Sequence, residues 1–201
     1  MDNGLLIDRE RYLVSGIHVG TKALSSDMER FVVRKRPDGI YVMDISKIDE
    51  RLRKAAKILS KFEPDEVVVT ASRIYAGYSA RKFAEMIGAR PIIGRFVPGT
   101  FTNPNIKYYV EPSIVLISDP RAERRAVEEA GKMNIPIVAL ADTEHTLEYV
   151  DWVIPCNNKG RKSVALIYYL LTRQYLLSSG RIASIEEFKY RPEDFEYREE
   201  E

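Results

Sequence analysis

Five residues at the ends of apolar runs could do chemistry: Asp44, Ser72, Asp119, Asp142 and Asn157. In open α/β sheets, ligands sit beyond the carboxyl ends of the strands, where a carboxylate, hydroxyl or amide could hold a nucleotide or a metal. Three features weigh against that use. No Gly-x-Gly-x-x-Gly follows any apolar run, so a dinucleotide loop is missing. Gly160-Arg161-Lys162-Ser163 resembles the end of a phosphate-binding loop, but Pro155 stands where the first glycine belongs. Asp119 and Ser72 read as helix caps, with Pro120 in the first turn after Asp119. A vestigial or absent small-molecule site is therefore expected, with no metal, no cofactor and no catalytic residue.

Other reactive side chains are few. His145 lies in a polar loop with no ligand or nucleophile near it in sequence. His18 stands between Gly16 and Gly20, which free the backbone to approach another surface. It is either a hydrogen-bonded turn histidine or a contact to an external partner. Cys156 is the single cysteine, cannot form an internal disulfide, and reads as buried and inert. No set of nucleophile, base and orienting group is visible.

Positive charge is clustered instead. Arg34-Lys35-Arg36 precedes the turn Pro37-Asp38-Gly39, and Lys159, Arg161 and Lys162 surround the start of the last helix. A helix N-terminus carries free N–H groups and partial positive charge, so phosphates bind there readily. The nearest acidic residues in sequence are Asp151 and Glu186, so these cations are expected to gain little from the chain itself. The alternative is a solvated helix start. The net charge of +1 hides an asymmetry: residues 186–201 carry eight acidic and three basic side chains, leaving +6 on the rest. A basic body with an acidic tail suits a protein that meets RNA on one face.

One loop stands out. Gly94-Arg95-Phe96-Val97-Pro98-Gly99-Thr100-Phe101-Thr102-Asn103 is a strand end and turn that carries two phenylalanines. Phe101 lies between two threonines after Pro-Gly, so its ring is expected to point away from the sheet. Phe96, Thr100, Phe101 and Asn103 are read as a loop that docks a protein.

These residues need a scaffold. Strands are expected at 40–43, 67–70, 91–93, 114–117, 135–140 and 152–154. Between them fall helical patterns, one with Ile48, Leu52, Ala55, Leu59 and Phe62 on a single face. Ser46-x-x-Asp49 reads as its capping box. The last helix, from Arg161 to about Leu177, is apolar nearly all round. Continuous apolar strands alternating with helices predict a parallel sheet covered on both faces. With 201 residues, 45% apolar and 30% charged, one domain is expected. Residues 1–38 and 181–201 lie outside the alternation and read as extensions, mobile in the free protein, around a core of 39–180. Met1–Gly4 lack a basic region followed by an apolar stretch, so no signal peptide is expected. The longest apolar run, 164–171, is far short of the ~18 residues of a membrane helix. No membrane partner is expected.

Four blocks carry a resemblance that covers most of the chain: the loop just described, Ser15-Gly16-Ile17-His18-Val19-Gly20-Thr21, the segment from Ser118-Asp119-Pro120 through Asn134-Ile135-Pro136 to Ala139–Thr143, and Val150–Gly160. In their order along the chain they resemble the second small-subunit ribosomal protein family, in its archaeal and eukaryotic branch. The coiled-coil insertion of bacterial members and the long acidic extension of animal members are missing, which points to an archaeal type. The resemblance implies an α/β flavodoxin-like three-layer sandwich with a mostly parallel sheet of about five strands. It implies a structural, non-enzymatic part of the cytoplasmic small ribosomal subunit, with rRNA and neighbouring ribosomal proteins as partners and no small-molecule substrate. The expected RNA-binding set is Lys159, Arg161, Lys162, Arg34, Lys35, Arg36, His18, Lys22 and Arg95. Two alternatives stay open: a small-molecule enzyme on this scaffold, and the adhesion role attributed to animal relatives.

Overall fold

In the computed structural model, which describes residues 4–198, five parallel strands form the central sheet: β3 (Val67–Ala71), β4 (Arg90–Ile93), β5 (Ile114–Ile117), β6 (Ile137–Ala141) and β7 (Trp152–Pro155). Their order is β4-β3-β5-β6-β7. Chain order reverses between β3 and β5, the arrangement of flavodoxin-like sheets. Pro91 sits on the edge strand β4, where its missing donor costs no ladder bond in the sheet interior.

The strands are apolar on both faces because both faces are covered. Val67, Val69 and Ala71 of β3 point into the larger core cluster, while Val68 points into the smaller one. Helices α2 (Ile45–Leu59) and α3 (Ile74–Ile87) each pack against α5 (Arg161–Ser178) on the first face. Helix α5 is buried on nearly all sides between them. The second face is covered by α4 (Arg124–Lys132) and the loop after β4. No helix among the described residues is long and apolar enough to cross a membrane.

Three expectations need correcting. The strand at 40–43 does not join the sheet. As β2 (Tyr41–Met43) it pairs antiparallel with β1 (Val32–Lys35), forming a separate hairpin around Pro37-Asp38-Gly39. Gly39 has φ of 87°, which the turn requires. Second, the two extensions are not appendages. Tyr12, Ile17, Met28 and Phe31 near the N-terminus, and Phe188 and Phe195 near the C-terminus, belong to the large core cluster. Burying a side chain of this kind stabilises by roughly 1.5–3 kcal/mol, enough to hold each segment down. Helix α1 (Arg9–Ser15) lies within the first of them. Residues 1–3 and 199–201 of the expected extensions lie outside the described residues.

Third, the caps differ. Asp44, not Ser46, caps α2, accepting the Ser46 N–H at 2.9 Å. Asp49 is instead buried and accepts from the Tyr12 hydroxyl and the Leu6 N–H, both at 2.7 Å. Helix α4 starts only at Arg124, and Asp119 closes the turn before it, through the Arg121 and Ala122 N–H groups at 3.0 Å. Ser72 caps nothing: Arg73 occupies the N-cap of α3 without a side-chain bond.

Candidate RNA interface and the strand-end crevice

The reversal between β3 and β5 is where this sheet order places ligands. Here the chain's own Glu123 sits at the strand ends, beside an open hollow of about 720 Å³ that Ser72 and Phe96 also line. Its carboxyl group accepts from the Thr70 hydroxyl, the Ser72 N–H at 3.0 Å and the Ser118 N–H at 3.2 Å. Complete burial pushes its pKa up to about 8, against the pull of those hydrogen bonds.

A second knot of charge lies beside it. β6 and β7 are joined by an irregular segment, 142–151, without a helix. His145 in that segment is buried, contrary to its reading as a polar-loop residue without a role. Its Nδ1 accepts the Asp142 N–H at 2.8 Å, and its Nε2 lies 3.2 Å from Asp119 Oδ1. Arg73 Nε donates to Asp119 at 2.7 Å. Burial alone would raise the Asp119 pKa, but His145, the Ala122 N–H and Arg73 together hold it well below the usual carboxylate range. Burial raises that of Asp142 and that of the Cys156 thiol. The N-terminal segment docks on this knot. Thr21 N–H donates to Thr143 Oγ1 at 2.9 Å, and a Cβ at Gly20 would fall 2.5 Å from the Thr143 methyl. Of the two glycines flanking His18, Gly20 makes the expected close approach, and makes it to the protein's own Thr143, while Gly16 meets nothing within 4 Å.

The cations at the start of α5 are also engaged. Lys159 Nζ lies 2.6 Å from Glu144 and 3.6 Å from Asp142. Arg161 Nε lies 2.7 Å from Glu196 of the C-terminal segment. The expectation that they gain little from their own chain fails because their partners are remote in sequence and adjacent in space. Lys162 is exposed and forms no ion pair among the described residues.

The loop after β4 turns inward. Phe96 and Phe101 are 7% and 1% exposed, with ring centroids 5.0 Å apart in an edge-to-face pair. They fill the smaller core cluster with Val68, Val115 and Val127. Glu129 of α4 pulls the turn down, accepting from the Gly99 N–H at 2.6 Å and the Phe101 N–H at 3.0 Å. Thr100 is buried too, its hydroxyl donating to the Val97 carbonyl at 2.6 Å. The outward-pointing Phe101 ring is thus corrected: a carboxylate on a neighbouring helix satisfies the turn's N–H groups and tips the rings under it. Arg95 and Asn103 are exposed. Arg95 lies at the mouth of the Glu123 crevice with Arg124 and Arg125, apart from the other expected RNA residues.

The hairpin is different. Residues 18–21 run along β2, with the Met43 N–H donating to the His18 carbonyl at 2.8 Å and the Tyr41 N–H to Thr21 at 3.0 Å. This brings His18, Arg34 and Arg36 together in one groove of about 520 Å³, joined by Arg9 from α1, which the sequence reading missed. Exposed Leu13 and Val33 line its apolar part. Arg9 and Arg34 form no ion pair among the described residues, and Arg36 has only the exposed Asp38 at 3.5 Å. The His18 pKa is lowered, first by desolvation and then by Arg36, Arg34 and Arg9, which disfavour another positive charge. Its Nδ1 is buried without a hydrogen-bond partner. Lys22 lays its methylenes beside Gly39 at the hairpin tip. Lys35 points to the other side, with its ammonium 4.9 Å from the Tyr41 ring centroid.

These features define a doubly wound α/β protein whose strand-end polar groups largely bond to one another and whose α1 and added hairpin bring three arginines into one groove. Comparison with known proteins gives the family. The ribosomal protein S2 family pattern matches residues 106–177. The chain is 50% identical over 194 residues to the small ribosomal subunit protein uS2 of Staphylothermus marinus, covering 96% of this chain and 88% of that one. It is 52% identical over 172 residues to that of Saccharolobus solfataricus (86% and 74% covered) and 46% over 196 residues to that of Thermoplasma acidophilum (98% of both). The chain belongs to the small ribosomal subunit protein uS2 family.

Proposed function

We propose that this chain binds rRNA through the hairpin groove, with Arg9, Arg34, Arg36 and His18 as the central contacts and Lys22 and Lys35 flanking them. Membership of the uS2 family makes it a structural constituent of the small ribosomal subunit, in the cytoplasm, with neighbouring ribosomal proteins as its other partners. The observation that carries the RNA reading is the gathering of three guanidinium groups around one imidazole, with only Asp38, 3.5 Å from Arg36, and Asp44, which caps α2, as nearby carboxylates. Like charges held together need an external anion, and phosphate neutralisation with counterion release is the dominant force in such binding. Guanidinium forks match phosphate geometry. Lys162 and Arg95 are outlying contacts, while Lys159 and Arg161 serve the fold first.

An enzyme on this scaffold is not supported. The polar groups at the strand ends are spent on one another, and the reading needs neither cofactor nor substrate. The test is a salt titration of binding to small-subunit rRNA, with sucrose-gradient fractionation alongside. The wild-type chain should travel with small subunits. Arg34→Ala/Arg36→Ala should flatten the log–log salt slope by roughly 1.4–1.8 and weaken binding about 25–60-fold at 0.1 M salt. An unchanged slope would remove the groove from the interface.

A further inference from the structure

Helix α2 carries cations at helical spacing. Lys47, Arg51 and Lys54 succeed one another by four and three residues and share one face over about 10 Å of helix. They line a shallow cleft of about 270 Å³ with Arg30, which lies two residues before β1. Two aromatic rings organise the cleft. The Arg51 guanidinium stands 4.1 Å from the Trp152 ring centroid and 5.3 Å from that of Phe31. The Arg30 guanidinium stands 4.9 Å from the same Phe31 ring. Trp152 is fixed in turn, its indole N–H donating to the Arg51 carbonyl at 3.0 Å. Lys47 donates to the Arg30 carbonyl.

Two guanidinium groups sharing one ring repel each other. The Arg51 pKa is lowered, first by desolvation and then by Arg30. Neither arginine forms an ion pair among the described residues: Glu50, the one carboxylate lining the cleft, is committed to Lys54, and Asp27, Glu148 and Asp151, which line the adjoining hollow with both arginines, lie beyond ion-pair distance of them. Stacking therefore holds like charges in place where pairing would have dispersed them. A surface of that kind is pre-organised for an anion from outside.

We propose that Arg30, Lys47, Arg51 and Lys54 form a second RNA-contact site, gripping the phosphate backbone of an RNA strand on the face that Phe31 and Trp152 hold rigid. The inference rests on the rRNA-binding reading above and extends it to a separate surface. RNA is favoured over an acidic protein segment for two reasons. Planar guanidinium forks suit phosphate oxygens. The site also continues directly along the chain into the cationic hairpin, so one RNA body can engage both.

Trp152 is the only tryptophan of the chain, so its emission reports this cleft and not the hairpin groove. The experiment titrates the full chain with an end-labelled 12-base-pair RNA duplex, reading anisotropy for total binding and Trp152 emission for the cleft. Inorganic phosphate and a poly-glutamate peptide are titrated separately. The duplex should change Trp152 emission saturably, with the same midpoint as the anisotropy. Arg30→Gln/Arg51→Gln should flatten the salt slope by roughly 1.4–1.8, and Lys47→Gln/Lys54→Gln, which leaves the stacked rings intact, by roughly 0.7–0.9, since Lys54 is shared with Glu50. Arg34→Ala/Arg36→Ala should weaken binding yet keep the Trp152 response of the bound complex. If both α2 variants retain the full slope and Trp152 stays silent, the cleft is a solvated face and the hairpin reading stands. Flat anisotropy in the wild type would sink both readings. A Trp152 response to phosphate or poly-glutamate at lower concentration than to the duplex would overturn RNA as the occupant.

Discussion

At the carboxyl ends of the sheet, Asp119, Glu123, Asp142, Glu144, His145 and Lys159 are packed against one another with hardly a charge facing water unpaired. On the hairpin, Arg9, Arg34 and Arg36 crowd around His18 and face outward. In sequence the two regions look alike, since each is a set of polar residues beside turns. They differ in sign balance. Charges of both signs at the strand ends can satisfy one another, so that region stabilises the fold. On the hairpin the guanidinium groups outnumber Asp38 and Asp44, and that excess of positive charge is the ground on which we propose an external anion for this region. Substitutions in the first should therefore move stability and leave RNA affinity alone, and substitutions in the second should do the reverse.

The largest effect is expected in the loop after β4, which belongs with the inward-facing region. Phe101→Ala removes a ring that is 1% exposed and packed edge-to-face on Phe96. Truncating a core phenylalanine costs about 3–5 kcal/mol. Thermal or denaturant unfolding should show that loss, while the surviving folded fraction binds rRNA with unchanged salt slope. Near-normal stability with weakened subunit incorporation would return the loop to the outward-facing class.

How much of this was legible beforehand follows from where partners lie. The strands and helices of the sheet were readable because their apolar periodicity is local. So was the turn at Pro37-Asp38-Gly39. The hairpin pairing of β1 was not, because Val32–Lys35 is mostly exposed and shows no apolar alternation. Nor were the partners of Lys159, Arg161 and His145, which lie 15, 35 and 26 residues away at Glu144, Glu196 and Asp119. Phe101 misled for the same reason: its neighbours in sequence are polar, but Glu129 on α4 turns the loop over. The clusters at 34–36 and 159–162 were both visible as charge. Only the fold distinguishes the one that is already neutralised.

A smaller, pH-dependent effect should separate the regions next. The Glu123 pKa of about 8 in the folded state lies far above the ordinary carboxylate value near 4.5. Between those values the folded chain holds a proton that the unfolded chain has lost. Stability therefore falls as pH rises from about 5 to about 8, by on the order of a few kcal/mol from this group. Glu123→Gln keeps the size and stays neutral, so the difference between wild-type and variant unfolding curves across that range isolates the carboxyl group. The variant should lose the decline and be the more stable protein at pH 8. Parallel pH profiles would mean that Glu123 is ionised in place, its hydrogen bonds outweighing its burial.

The smallest effect tests the boundary between the regions. Arg161 and Lys162 are adjacent at the start of α5, but Arg161 is spent on Glu196 and Lys162 is exposed without an ion pair among the described residues. The pair Arg161–Glu196 lies at the surface, with Arg161 48% exposed in its side chain, so its loss should cost no more than about 1 kcal/mol of stability. Removing two cations from a helix N-terminus also relieves their conflict with the helix dipole, which offsets part of that cost. For RNA, Arg161→Ala/Lys162→Ala should remove at most one phosphate contact, flattening the salt slope by no more than roughly 0.9, against the 1.4–1.8 expected of the Arg34/Arg36 pair. Both variants remove two arginine or lysine charges from a chain of the same net charge, so a general field effect would act on them equally. If the two slopes change by the same amount, local pairing does not decide which cations reach RNA, and the division between inward and outward charge fails at the start of α5, where a paired and an unpaired cation stand side by side.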